Sequence, residues 1–123
     1  MVEFAMTLPI LALLVFGIFD LGRVVYFYSA MQNSAREGAR FGVVNPRQED
    51  GVITRTKERT LGIPPSELYV DVNYDCNYVK VTVGYTFDPF IPLIGNVPIS
   101  TSSHLQRERW LVDVEPDKSC KPG

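Results

Sequence analysis

The chain has 123 residues, of which 46% are apolar and 21% charged, and its net charge is −2. No basic excess of the kind that holds a nucleic-acid backbone is present, so nucleic acid is not an expected partner. The length allows one small domain besides any membrane segment, and no internal repeat or low-complexity tract divides it.

The first element is an apolar run. Phe4 to Phe19 carries no charge, and Thr7 supplies its one hydrogen-bonding side chain. As a helix these residues span roughly 24 Å, slightly short of a ~30 Å hydrocarbon layer unless the flanking turns join in. Glu3 stands immediately before the run, where a carboxylate is costly unless something uses it. Asp20 and Arg23 interrupt the pattern, which resumes through Leu21, Val24, Val25, Tyr26, Phe27 and Tyr28. A secretory signal peptide fits less well, because an acid occupies the place of the basic n-region and a charged pair precedes any cleavage site. A single-pass anchor for a soluble domain fits the apolar length but gives Glu3 no task.

The helix is expected to continue to Val44 in amphipathic form. Its apolar positions fall at Leu21, Val24, Val25, Tyr28, Met31, Ala35 and Val43, while Arg23, Gln32, Asn33, Arg36, Glu37 and Arg40 take other faces. Ala30, Ser34, Gly38 and Gly42 recur every four residues and leave one side nearly bare, so another backbone can come close, the following strands being the expected partner. Gly38 and Gly42 each cost a helix about 1 kcal/mol against alanine, which implies compensating contacts. Asn45-Pro46 ends the helix, since a residue before proline avoids the helical region. Pro9 can kink it near its start, which a membrane tolerates.

Glu49 to Leu61 reads as a short, polar-faced second helix stopped by Gly62 and Pro64-Pro65. The period then changes to two. Leu68, Val70, Val72 and Tyr74 alternate with Tyr69, Asp71, Asn73 and Asp75, and Val79, Val81, Val83, Tyr85 and Phe87 alternate with polar residues or glycine. These are two strands of a hairpin turning at Asp75-Cys76-Asn77. An apolar loop, Asp88 to Asn96, leads to a third strand from Val97 to about Arg109, and the remainder to Gly123 is tail-like. The fold class is α+β: a long N-terminal helix, a short second helix, and an antiparallel three-stranded sheet laid on the helix. Residues 1–46 form the helical part and 47–123 the head.

A head of about 80 residues is near the lower limit of what one core supports, and it welcomes a staple. Cys76 and Cys120 can supply one as a disulfide outside the cell, with a chain-entropy contribution of about 4 kcal/mol. Two cysteines without nearby histidines make no zinc site. His104, the sole histidine, sits in a Ser/Thr-rich strand without an acid or thiol cluster, which suits a surface residue better than a catalytic one. Gly38 and Gly42 lie inside a helix rather than in a phosphate-cradling loop. Asp71 and Asp75 suit a solvated sheet face. No catalytic residue, cofactor or metal is expected.

The stretch "VEFAMTLPILALLVFGIFDLGRVVYFYSAMQNSAREGARFGVVNP" resembles the N-terminal region of TadE-like proteins, the pilin-related subunits of the tight adherence (Tad) pilus in the type IV filament superfamily. The resemblance covers roughly residues 1 to 46. It is carried by "VEFA" before "LP", by "FDLGR" at Phe19 to Arg23, and by "NSAREGAR" at Asn33 to Arg40. It implies a precursor in the cytoplasmic membrane, trimmed by a prepilin peptidase and moved by an assembly platform into an extracellular filament. In that superfamily the glutamate usually stands fifth in the mature chain, whereas here it is third. A minor or priming subunit is the alternative within that class, and a membrane-anchored adhesion module that never polymerises is the alternative outside it.

Chemistry independent of the resemblance favours assembly through other copies of the chain. A buried Glu3 needs a compensating charge, which a neighbour's terminal amine can supply when helices pack side by side. Asp20 and Arg23, three apart, can neutralise each other on one helix or bridge to adjacent subunits. Glu3, Phe4, Asp20 and Arg23 are therefore the expected assembly residues, and Ala30, Ser34, Gly38 and Gly42 the close-packing ones. In membrane lipid the apolar run is already satisfied, so charge pairing and close packing must decide register.

Overall fold

A computed structural model of the chain describes residues 2–45, 48–75, 78–91 and 95–106. Helix α1 runs Val2–Val44 as one continuous element of 43 residues, passing through Pro9. At about 1.5 Å per residue it extends roughly 65 Å, twice the thickness of a bilayer's hydrocarbon layer. Asn45 ends it by donating both its backbone N–H and its side-chain amide to the Phe41 carbonyl, at 2.9 and 3.4 Å.

Helix α2 spans Glu49–Arg59, two residues shorter than its sequence suggested, with Glu49 and Asp50 in the first turn and Lys57 and Arg59 in the last. That distribution complements the helix dipole at both ends. The chain reverses at Gly62, whose φ of +86° lies in the left-handed region, and a Cβ there would come within 3.2 Å of the Tyr26 ring. Ile63, immediately after, is buried.

Strands β1 (Leu68–Tyr74), β2 (Tyr78–Phe87) and β3 (Val97–Gln106) form an antiparallel meander in the order β1-β2-β3. Residues beyond Gln106, and Cys76 and Cys120 with them, lie outside the described part. The register stacks residues of one face in rows: Val70 beside Val83 and Thr101, Val72 beside Val81 and Ser103, Tyr74 beside Val79 and Leu105. Because strand side chains alternate, these rows all point toward the helices. The opposite face carries Asp71, Asn73, Lys80, Thr82 and Ser102, and Tyr69 covers Gly84 across the ladder.

The core lies between that sheet face and the upper half of α1. Met31, Ala35, Ala39, Val52, Val79, Val81 and Val83 are fully buried in it. Helix α2 packs on α1 and β1, and α1 covers β2 and β3. Reading α2 as a polar-faced connector understates it, because Val52 and Thr56 are completely buried. The buried hydroxyls are satisfied locally: Thr56 donates to the Val52 carbonyl at 2.7 Å, Thr60 to Thr56 at 2.9 Å, and Ser34 to Met31 at 2.9 Å.

The inward face of α1 also differs from the apolar stripe expected from spacing. Met31 and Ala35 are inside, but Leu21, Val25 and Tyr28 are exposed. The head packs on the side of Phe27, Met31, Ser34, Gly38 and Gly42, the bare side, where small residues let two elements approach at once.

Candidate assembly interface

Below the head, α1 is uncovered. Phe4, Ile10 and Phe19 are 72%, 71% and 67% exposed, and Leu8, Leu11, Leu13, Leu14, Phe16 and Ile18 are exposed with them. By length and composition the helix is long and apolar enough to cross a membrane. Contiguous apolar surface on this scale marks a lipid or protein contact. The exposed Leu21, Val25 and Tyr28 carry the apolar surface upward past the Asp20–Arg23 break. Glu3 stands exposed in the first turn, and among the described residues it has no ion-pair partner.

Asp20 is 92% removed from solvent, at 8% exposure, although it sits at the top of an exposed run. The cover is the apolar loop after β2. The backbone N–H of Phe90 donates to both Asp20 carboxylate oxygens, at 3.2 and 3.1 Å, and that of Ile91 donates to Oδ2 at 3.3 Å. Such bonds to an ionised acceptor are stronger than neutral ones. Arg23 lies 3.8 Å from the same carboxylate, and its guanidinium stands over the rings of Phe27, Phe87 and Phe90 at 5.8, 5.1 and 4.9 Å. Three rings around one cation hold it by the attraction of their negative faces. Asp20 and Arg23, expected either to neutralise each other on one helix or to bridge to adjacent subunits, stand 3.8 Å apart on α1, and both also contact the loop after β2. Phe90 and Ile91 then overhang the apolar run, sharing a notch with Pro9, Ala12, Leu13 and Phe16.

The small residues are spent inside the head. A methyl at Gly38 would overlap Thr56 Oγ1 of α2 and come within 3.6 Å of Val81; one at Gly42 would lie 3.0 Å from Val79 and 3.3 Å from Val52. Ser34 is buried beside them and Ala30 is half-buried. The partner is therefore α2 as well as the sheet, because the two glycines sit where α2 and β2 converge on α1. Gly17 and Gly22, lower on the helix, have nothing within 4 Å.

Tyr85, half-buried on β2 next to this site, has its phenol pKa raised above the ordinary 10.0 by burial first, then by the carboxylates of Glu67 and Asp88, while Arg23 pulls it back. His104 is exposed and meets Tyr78 edge-on at 6.3 Å between centroids. Among the described residues no cluster of His, Cys, Asp or Glu could hold a metal ion.

Sequence reasoning missed the role of Phe87, Phe90 and Ile91. A loop's apolar character is visible in the sequence, but no periodicity links it to an acid seventy positions earlier.

The family model that matches the chain is that of TadE-like protein, over residues 1–40. That segment holds Glu3, the apolar run, Asp20, Arg23 and Gly38. No curated protein and no solved structure matches the chain. In residues 1–40, then, the chain is similar to TadE-like proteins, and the α2–β3 part of the head lies beyond the match.

Proposed function

We propose that this chain is a structural subunit of an extracellular Tad-type pilus, polymerising through the lower half of α1. The observation that carries the reading is the exposed apolar surface of α1, which continues from Phe4 past Asp20 and Arg23 to Tyr28. A membrane anchor needs about 20 apolar residues and nothing above its polar boundary. A helix that packs among identical helices has a use for the upper stripe as well. The similarity of residues 1–40 to TadE-like proteins points the same way, toward a pilus-associated structural component rather than an enzyme.

In this reading the precursor rests in the cytoplasmic membrane with its apolar run in lipid. A prepilin peptidase trims it and an assembly platform transfers it to the growing filament at the cell surface. Lipid and helix bundle are similarly apolar, so the transfer is driven by what lipid cannot offer, chiefly a partner for Glu3 in a neighbour's terminal amine. Asp20 and Arg23 cross the boundary already paired, which lowers the cost of moving them.

Glu3→Gln tests this assignment. Removing one member of a buried charge pair typically costs about 3–5 kcal/mol, repeated at every subunit. Cells making only Glu3→Gln should hold normal amounts of the protein in the membrane while the sheared extracellular fraction contains little or none. Normal filament yield by electron microscopy would return the chain to a plain anchored domain.

A further inference from the structure

The loop after β2 reaches below the polar boundary that Asp20 and Arg23 mark. Phe90 and Ile91 share a notch with Phe16, Leu13, Ala12 and Pro9, residues that lie roughly 6 to 16 Å below Asp20 along the helix at 1.5 Å per residue. Whatever surrounds that part of α1 also surrounds the two loop residues. We propose that Phe90 and Ile91 form a second membrane-contacting element, inserted into the outer acyl layer beside α1 while the subunit is in the bilayer, with lipid chains filling the notch.

Irregular backbone is excluded from hydrocarbon unless its N–H groups are satisfied within the protein. Among the described residues of the loop, the N–H groups nearest the apolar run are those of Phe90 and Ile91, and both donate to Asp20. An otherwise expensive acid in an apolar helix thereby permits a loop to enter the apolar layer. Arg23 completes the arrangement from the head side: its charge stays at the boundary while Phe27, Phe87 and Phe90 surround it, the combination of cation and aromatic rings found at membrane interfaces. Phe90 is 72% exposed, so its ring is free to meet lipid as well as Arg23. The surface is continuous with the run of α1 and needs no further partner to be covered.

The inference rests on the reading that Phe4–Phe19 lies in a bilayer, and the test separates the two. The full chain with Trp110→Phe receives one reporter at a time: Phe90→Trp, Ile18→Trp on the exposed run, or Tyr69→Trp on the far face of the sheet. Tryptophan at 90 keeps the stacking on Arg23, being the strongest ring for a cation. Each protein is reconstituted at high dilution into phosphatidylcholine–phosphatidylglycerol vesicles whose acyl chains carry bromine. Ile18→Trp and Phe90→Trp should be blue-shifted and quenched, with Phe90→Trp at least about twofold more quenched than Tyr69→Trp, as a buried interfacial ring requires. Adding Asp20→Ala to Phe90→Trp should move its quenching toward that of Tyr69→Trp. If Ile18→Trp is quenched and Phe90→Trp behaves like Tyr69→Trp, the proposal fails and the anchoring of α1 stands. If neither is quenched, both fall. A Phe90→Trp signal that appears only at high protein-to-lipid ratio assigns the notch to a second copy and overturns the lipid assignment.

Discussion

The Asp20 carboxylate and the Phe90 backbone N–H, seventy residues apart, are joined by hydrogen bonds of 3.1 and 3.2 Å, so the charge that interrupts the apolar helix is the fastening of a distant loop. Arg23 adds to the same junction from the next turn, contacting the carboxylate and the Phe90 ring together. The charge break in α1 is thus also a tertiary joint, and its geometry decides where the head ends and the bare helix begins.

Asp20→Ala should free the loop. Hydrogen bonds to charged groups contribute about 1.5–3 kcal/mol, and the variant leaves two loop N–H groups and Arg23 without their acceptor. In detergent micelles the Phe90 and Ile91 amides should exchange with solvent markedly faster, while the amides of Val79 to Val83 change little. Unaltered protection at Phe90 would mean that loop packing alone holds it.

Gly38 is expected to be a packing glycine. Alanine there would gain about 1 kcal/mol of helix propensity but must displace Thr56, and overpacking of this kind typically costs about 1–3 kcal/mol. Gly38→Ala should therefore destabilise the head in chemical unfolding, and Thr56→Ala combined with it should recover part of the loss, as a double-mutant cycle would measure. Gly22→Ala, where nothing stands within 4 Å, should be neutral or stabilising. A stabilised Gly38→Ala protein contradicts the close contact.

Tyr85 offers a titration. Its pKa is raised in the folded protein by burial and by Glu67 and Asp88, so the fold binds the phenolic proton more tightly than the unfolded chain does. The resulting stability is complete below the ordinary 10.0 and is lost as pH climbs through the raised folded value. Followed by NMR of ring-labelled tyrosine, Glu67→Gln should lower the Tyr85 pKa and Arg23→Gln should raise it further. Opposite signs would show that the charges do not face the phenol as described.

Cys76 and Cys120 are proposed to be bridged in the exported protein, tying the hairpin turn to the C-terminal tail. Denatured but unreduced protein should take up no thiol reagent, and reduction should open both positions to labelling. Uptake at both sites before reduction removes the bridge.

Much of the architecture was readable from the order of residues. The shift from helical spacing to alternation near Leu68 marked where the sheet begins, because side-chain period follows directly from backbone geometry. A proline after Asn45, and glycine and prolines after Leu61, marked the ends of helices through their own backbone restrictions. The apolar run and Glu3 were equally plain, since composition alone prices a charge beside hydrocarbon. The four-residue recurrence of Ala30, Ser34, Gly38 and Gly42 pointed to the side of α1 where another backbone comes close, but periodicity could not name α2 as a partner beside the sheet. Both glycines lie where α2 and β2 converge, because close approach of two elements demands absent side chains more than it rewards large ones. The destination of Asp20 was likewise settled by chain topology: the β2–β3 connection happens to descend past α1 at that level, and a hydrogen bond across seventy residues leaves no trace in local pattern. Local chemistry determined which elements form, and only their packing determined which charges meet.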